Sequence, residues 1–369
     1  MMITTDIAII GAGMAGASLA ATVGRAANVL LIEGEALPGY HATGRSAAFW
    51  SETYGGPDVQ PLTSASKAFL ESGGFLGARG AVTIARRGEE GLIDAMIDRF
   101  ASCGVELVER SRADLEAEIP DLRPDWVRGL AEPGCRDIDV AALHQHYLKA
   151  ARGAGVRLLC DAPVTCIERA GAGWRITAGD QTIAADVVVN AAGAWASAVA
   201  AMAGAKAIPI TPKRRTMVQI AVDPPAAPTM PLVLDAAESF YFKPEAGGRL
   251  WLSPHDESPL PPCDAAPDEL DVAIAIDRLQ GVVDWRVERR ERSWAGLRSF
   301  APDRAPIYGF DADAPGFFWF AGQGGFGIQT APAAAAIGTA LLLGRSLGEG
   351  CGQLDPGRYS PDRFQLQAF

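Results

Sequence analysis

Polar and apolar positions change period several times along the chain, and each change marks an element. Residues 6–10 are a near-continuous apolar run, the pattern of a strand buried on both faces of a parallel sheet. A turn with Gly11, Gly13 and Gly16 opens an Ala-rich helix through Val23, and a second apolar strand at 28–32 ends in Glu33. AVTIAR at 81–86 alternates as a half-buried strand does. A charged, helical stretch continues to Glu118, followed by a Pro-rich passage from 120 to 133. Residues 141–152 predict a helix with Leu143, Tyr147 and Leu148 on its apolar side, and 156–195 predicts strands, the last at 185–189. From 209 to 262 the alternating stretches MVQIAV, ESFYFKP and RLWLS predict a second, mostly antiparallel sheet, and 268–280 an amphipathic helix. WAGLRSFAPDRAPIYG and FFWFAGQGGFGIQTAP then return to the opening pattern of a buried strand, a Gly-rich turn (here at 322–327) and an Ala-rich helix.

A chain of 369 residues exceeds one simple core, so two domains or one domain with an insertion are expected. Its 33 basic and 44 acidic side chains leave a formal charge of −11, which disfavours nucleic acid and anionic lipid as partners. Local positive charge must therefore meet any anionic ligand. The six cysteines form no CxxC pair, which argues against a zinc or dithiol site and for free thiols in a cytoplasmic protein. His144 and His146 lie two apart on one helix and face different ways, so no metal is expected. No apolar run is long enough to span a bilayer, and the apolar N-terminus lacks the basic flank of a signal peptide.

Strand, GAGMAG turn, helix, strand and terminal acid together form a dinucleotide-binding fingerprint. The glycines admit a pyrophosphate, the helix N-terminus stabilises its charge, and Glu33 accepts from ribose hydroxyls, with Glu35 as the alternative acid. The chain next enters a loop with Thr43, Gly44, Arg45 and Ser46, rich in backbone donors and hydroxyls and long enough to follow a cofactor toward its reactive end. That choice favours FAD over a nicotinamide. Asn190-Ala-Ala-Gly-Ala-Trp195 offers small residues on which an adenine end can lie, with close helix–sheet packing as the competing explanation. The turn at 322–327 is a second place where backbone donors meet negative charge.

GAGMAG, TGRSAA, VVVNAAGAW and AGQGGFGIQT occur in the order seen in the FAD-dependent D-amino acid oxidase superfamily, which the chain resembles over nearly its whole length. Within it, PGYHATGRSAA, TPKRR, ESFY, WAGLRSF and QGGFGIQT are most similar to the bacterial D-arginine dehydrogenases. The resemblance implies an α/β architecture: a Rossmann-like FAD-binding domain (1–80, 138–206, 294–369) interleaved with an α+β substrate domain (81–137, 207–293) on a mostly antiparallel sheet. It implies oxidation of an amine carbon by hydride transfer from Cα to flavin N5, giving an imine and then a 2-oxo acid and ammonia. Arg215, Tyr241 and Arg298 match the substrate-carboxylate positions, Tyr54 and Gly325 the groups near amine and carboxylate, and Gln329 a glutamine near the reacting end. The cofactor set adds Met14, Ala15, Gly34, Ala47, Ala48, Val164, Ala192 and Gly193 to the residues above, and Gly324, Phe326, Gly327 and Ile328 from the C-terminal turn. With no cysteine at 296–298, the FAD is expected to be non-covalent.

The departures bear on the substrate. Phe49 replaces a histidine of the D-arginine enzymes, Ala81 the glutamate that pairs with the substrate's distal cation, Ser51 a threonine and Phe326 a tyrosine. A guanidinium in a pocket of Phe49, Trp50 and Ala81 would lack a partner, so neutral, fairly bulky D-amino acids are expected and D-arginine is not; Glu52 is the one acid nearby that speaks the other way. Core packing competes with the pocket role of Phe49 and Trp50. No histidine matches a catalytic base. RLWLSPH lacks the lysine that activates oxygen in related oxidases, which favours a dehydrogenase, the acceptor (quinone, electron carrier or O2) being open. An N-methylated or secondary amino acid or a 2-hydroxy acid could use the same clamp, and a catalytically silent flavin-binding subunit is the non-enzymatic alternative.

Overall fold

The computed structural model describes residues 2–348 and 350–364. Its first sheet has eight strands, with Ile3–Ile10 in the middle. That strand runs parallel to Val29–Ile32 on one side and to Gln181–Asn190 on the other. Its side chains alternate between two cores. Ile7 and Ile9 pack with helix Met14–Val23 on one face, while Ala8 and Ile10 pack with Ile176, Val188 and Trp319 on the other. Burial on both faces is why this strand reads as a continuous apolar run. Phe317–Ala321 joins the same sheet parallel to the end of Gln181–Asn190. Helix Ala331–Leu343 lies beside Met14–Val23, where Gly338 leaves room for Phe320 and Leu19.

The second sheet has nine strands and is antiparallel except where Leu232–Asp235 meets Ala81–Arg86. Its longest pair is Thr211–Asp223 against Arg286–Phe300. Val218, Ile220, Phe242 and Leu252 face helix Glu269–Gln280, and Met217 and Tyr241 face the opposite way, packing with Ala47 and Phe49. Phe49–Trp50, Leu76–Ala78 and Arg136–Ile138 form a small third sheet.

Three expectations are corrected here. The charged stretch before Glu118 is two helices, Gly91–Phe100 and Arg112–Glu118, separated by strand Val108–Ser111, because Ser111 and Asp114 form a capping box that restarts the helix. The Pro-rich passage holds the strand Trp126–Glu132. Residues 294–300, expected with the dinucleotide half, are the end of Arg286–Phe300 in the nine-stranded sheet; the charged start of that strand, VERRER, hides its continuity.

Candidate active site

A cleft of about 390 Å3 runs between the two large sheets. At one end, Gly11 has φ +101°, and a Cβ there would lie 2.4 Å from the Ala191 carbonyl oxygen, so only glycine fits where the turn crosses the neighbouring strand. Glu33 sits at the end of Val29–Ile32 and accepts from the Ala12 N–H at 2.9 Å and the Glu35 N–H at 3.1 Å, which fixes its carboxylate beside the turn. Glu35 instead pairs with His41 at 2.9 Å. Thr43 reaches across from its loop to accept from the Met14 N–H at 2.9 Å, tying the loop to the first turn of the helix. Ala192, Gly193, Trp195 and Val164 line the same end, with Pro163 and Met202, which sequence reasoning missed.

His144 supports this end from behind. Its Nε2 donates to the Ala12 carbonyl at 2.9 Å, and burial pushes its pKa below the usual imidazole value, so a neutral ring holds the glycine turn. At the other end the cleft is lined by Arg215, Met217, Leu297 and Arg298 from the long strand pair, and by Gly324, Gly325, Gly327 and Ile328. Helix Ala331–Leu343 begins beyond these glycines, so the turn itself, not the helix N-terminus, meets the cleft.

A small pocket of about 10 Å3 adjoins this end, among Phe49, Tyr54, Tyr241, Arg298, Gly325 and Gln329, with Ser46, Ala47, Ala48 and Ile328 also on its wall. Arg298 Nη1 donates to the Tyr54 hydroxyl, and Nη2 to the Tyr241 hydroxyl at 3.4 Å. Tyr241 in turn donates to Met217 Sδ at 3.0 Å. A Cβ on Gly325 would fall 2.9 Å from both Arg298 Nη1 and the Tyr54 oxygen. Arg215 is 3% exposed. Its Nε donates to the Asp256 carbonyl at 2.9 Å and its Nη2 lies 3.5 Å from Glu257, while Nη1 is buried with no hydrogen-bond partner. Burial and the field of Arg298 both work against its charge. The buried guanidinium of Arg215 and the half-buried one of Arg298 thus share one end of the cleft, with a donor left over, which is the chemistry of an anion site.

Several side chains stand elsewhere than expected. Trp50 is fully buried in the core of the first sheet, its indole donating to the Thr63 carbonyl at 2.9 Å, and is away from the pocket. Ser51 is also buried and turned away, its hydroxyl on Glu132. Ala81 packs behind Phe49 and Tyr241 rather than on the pocket surface. Phe326 packs on Tyr54 and Phe300 with Val59. Gly16 faces its own turn: a Cβ there would lie 1.8 Å from the Gly11 carbonyl oxygen. Gly44 closes a tight turn on Gly39. Arg45 lines the cleft, but its guanidinium donates to the Ala265 and Ala295 carbonyls and to Asp264 at 2.5 Å, so its charge joins the loop to the second sheet. Arg214, next to Arg215, points to the other face and pairs with Asp271 at 2.6 Å, as alternation along a strand requires. The buried carboxylate of Glu132 gave no signal in the sequence, because its strand lies in the Pro-rich passage. Among the described residues no cluster suited to a metal ion is found.

A nucleotide-binding turn with an acid at one end, an arginine-rich pocket at the other and a cleft joining them define a flavin-dependent oxidoreductase. Residues 6–341 match the model of the DAO family, FAD dependent oxidoreductase, and the chain belongs to that family. Among curated relatives it is 30% identical to hydrogen cyanide synthase subunit HcnC of Pseudomonas aeruginosa over 235 residues, which cover 59% of this chain and 51% of that protein. It is 28% identical to mitochondrial sarcosine dehydrogenase of Homo sapiens over 268 residues, 68% of this chain and 27% of that protein. The chain thus spans about half the length of the first and about a quarter of the second. Its fold is shared with glycine oxidase from Geobacillus kaustophilus (TM-score 0.84, 21% identity, 97% of this chain and 98% of that one). The same holds for L-proline dehydrogenase from P. horikoshii (0.85, 21%, 99% of each) and for L-alpha-glycerophosphate oxidase from Mycoplasma pneumoniae with FAD bound (0.81, 18%, 93% and 95%).

The cofactor is therefore FAD, and the cleft suits it. Glu33 and the Gly11–Gly13 turn would hold the nucleotide end. The glycines at 324, 325 and 327 leave backbone without side chains at the end where Arg298 waits. Among the described residues no helix is long and apolar enough to cross a membrane.

Proposed function

We propose that this protein oxidises the amine carbon of a small amino acid that carries no distal positive charge, with D-amino acids of neutral or hydrophobic side chain as the first class. The imine would hydrolyse to a 2-oxo acid and ammonia. Bound FAD supplies the two-electron acceptor, and a carrier or quinone, rather than O2, would take the electrons onward. What carries this reading is the Arg298–Tyr54–Tyr241 group beside the partnerless Nη1 of Arg215. A substrate carboxylate would bring the negative charge that these donors lack. Arg298 and Tyr54 would orient the amine carbon, and the buried aromatic wall would exclude water. With no carboxylate lining the small pocket, a substrate guanidinium would go unpaired there.

A second reading has its own support. The pocket of about 10 Å3 is crowded by Phe49, whose ring lies 5.0 Å from Tyr54 and 6.1 Å from Tyr241, so a bulky side chain fits only if Phe49 turns. Aromatic faces around an amine suit a compact secondary or N-methylated amine, and the names of two relatives, sarcosine dehydrogenase and L-proline dehydrogenase, specify such amines. The six cysteines are free thiols, which fits the cytoplasmic setting we include in the proposal.

The test is anaerobic. The yellow holoenzyme is mixed with D- and L-methionine, leucine, phenylalanine and arginine, and with glycine, sarcosine and proline, while flavin absorbance is followed. Bleaching by neutral D-amino acids but not D-arginine supports the first reading, and bleaching by sarcosine or proline alone supports the second. No bleaching by any of these, or by lactate added as a 2-hydroxy acid, would leave a silent flavin-binding subunit.

A further inference from the structure

Glu132 ends the strand Trp126–Glu132, opposite Ala81, and is 4% exposed. Its partners are not cations. One oxygen accepts from Ser51 Oγ at 2.8 Å and Thr53 Oγ1 at 2.6 Å, and the other from the Glu52 N–H at 2.6 Å. A buried carboxylate with no counter-ion is costly, and neutral hydroxyls and an amide recover only part of that cost. Burial accordingly raises its pKa, with those hydrogen bonds opposing. Such a group calls for an explanation beyond packing.

The explanation lies in what its donors lead to. Ser51, Glu52 and Thr53 are consecutive, and the next residue is Tyr54, whose hydroxyl receives the Arg298 hydrogen bond. Gln329 grips the same segment from another element: its Oε1 accepts from the Ser51 N–H at 3.1 Å. Its Nε2 donates to the Tyr54 carbonyl at 3.1 Å and to Thr63 Oγ1 at 2.9 Å. The backbone of 51–54 is held by two buried polar side chains that come from residues far away in the chain. We propose that Glu132 is a positioning residue: by gathering Ser51, Glu52 and Thr53 it sets where the Tyr54 hydroxyl meets Arg298, and through that pair the affinity for the substrate carboxylate. The inference rests on the reading of Arg298 as the carboxylate's partner.

Glu132→Gln and Glu132→Ala are made as holoenzymes, each with Tyr54 retained and with Tyr54→Phe, and acetate and benzoate are titrated by their perturbation of the flavin spectrum. With Tyr54 present, Glu132→Ala weakens carboxylate binding about tenfold and Glu132→Gln less, and KM rises more than kcat falls. In the Tyr54→Phe background, the Glu132 change adds no more than about twofold, because its route to Arg298 is already gone. Equal losses in both backgrounds overturn the proposal, since they mark general damage. Hydrogen exchange at the amides of 51–54 provides the second readout. Exchange there that is faster in Glu132→Gln, with the rest of the chain unchanged, supports the proposal, and unchanged exchange overturns it. If neither carboxylate perturbs even the unsubstituted protein, the Arg298 reading fails, while the exchange measurement still decides the role of Glu132.

Discussion

Arg298 and Tyr54 meet head to head: a guanidinium N–H from the second sheet donates to a phenol oxygen carried by the loop after Phe49–Trp50. Lysine cannot reproduce the planar fork that also reaches Tyr241. Arg298→Lys is therefore expected to keep FAD and lower kcat/KM by about a hundredfold, the loss typical of truncating one partner of a charged hydrogen-bond pair. Anaerobic stopped-flow reduction of the flavin measures it, and a loss below about threefold would count against the carboxylate role.

Gly325 guards that contact. Its backbone conformation would tolerate alanine, but the new methyl would press on Arg298 and Tyr54 at 2.9 Å. Gly325→Ala should retain its yellow colour and thermal stability and raise KM by about tenfold. Steady-state kinetics beside a melting curve separate this from misfolding.

At the other end of the cleft Gly11→Ala acts on both backbone and space. It combines φ +101° with a Cβ 2.4 Å from the Ala191 oxygen. We expect a destabilisation of at least ~1–3 kcal/mol and a protein purified largely without FAD. The ratio of flavin to protein absorbance and the shift in Tm report it.

His255 provides a pH test. Its Nδ1 donates to the Glu238 carbonyl at 2.6 Å, and burial, then the fields of Arg215 and Arg298, bring its pKa down to about 3. Unfolded, it titrates near ~6.5. As pH falls from about 6.5 toward 3, the unfolded chain binds a proton that the folded protein refuses, so stability drops across that window. His255 has φ +53°, which asparagine tolerates well. His255→Asn should therefore lose less Tm between pH 7 and pH 4.5 than the unsubstituted protein. Parallel Tm curves would show that the histidine carries no such linkage.

The parts of this molecule that could be read from sequence are those where one local rule decides the outcome. Gly11, Glu33 and Thr43 announce themselves because a positive φ, a strand end and a glycine-rich loop each leave a local mark. Arg298 was legible as an arginine between Leu297 and Phe300, whereas Arg215, in the polar run TPKRRT, was marked only by the family resemblance. What escaped depends on contacts between distant segments. Trp50 could equally line a pocket or fill a core, and the Thr63 carbonyl that claims its indole is known only after helix Gln60–Ser72 has docked. Arg45 looked free to meet the cofactor until Asp264, the Ala265 carbonyl and the Ala295 carbonyl of the second sheet were seen to hold it. Glu132 lay in a passage whose prolines masked a strand, and nothing local distinguishes a buried acid from a solvated one.

Helices Met14–Val23 and Ala331–Leu343 touch along Gly338, and the hydroxyls of Thr22 and Thr339 lie 2.6 Å apart. During synthesis on the ribosome, the GAGMAG turn emerges well before Gln181–Asn190, the partner of its strand, and more than three hundred residues before Ala331–Leu343, the companion of its helix. The shape of the nucleotide-binding turn thus depends on segments of the chain that are made long after it.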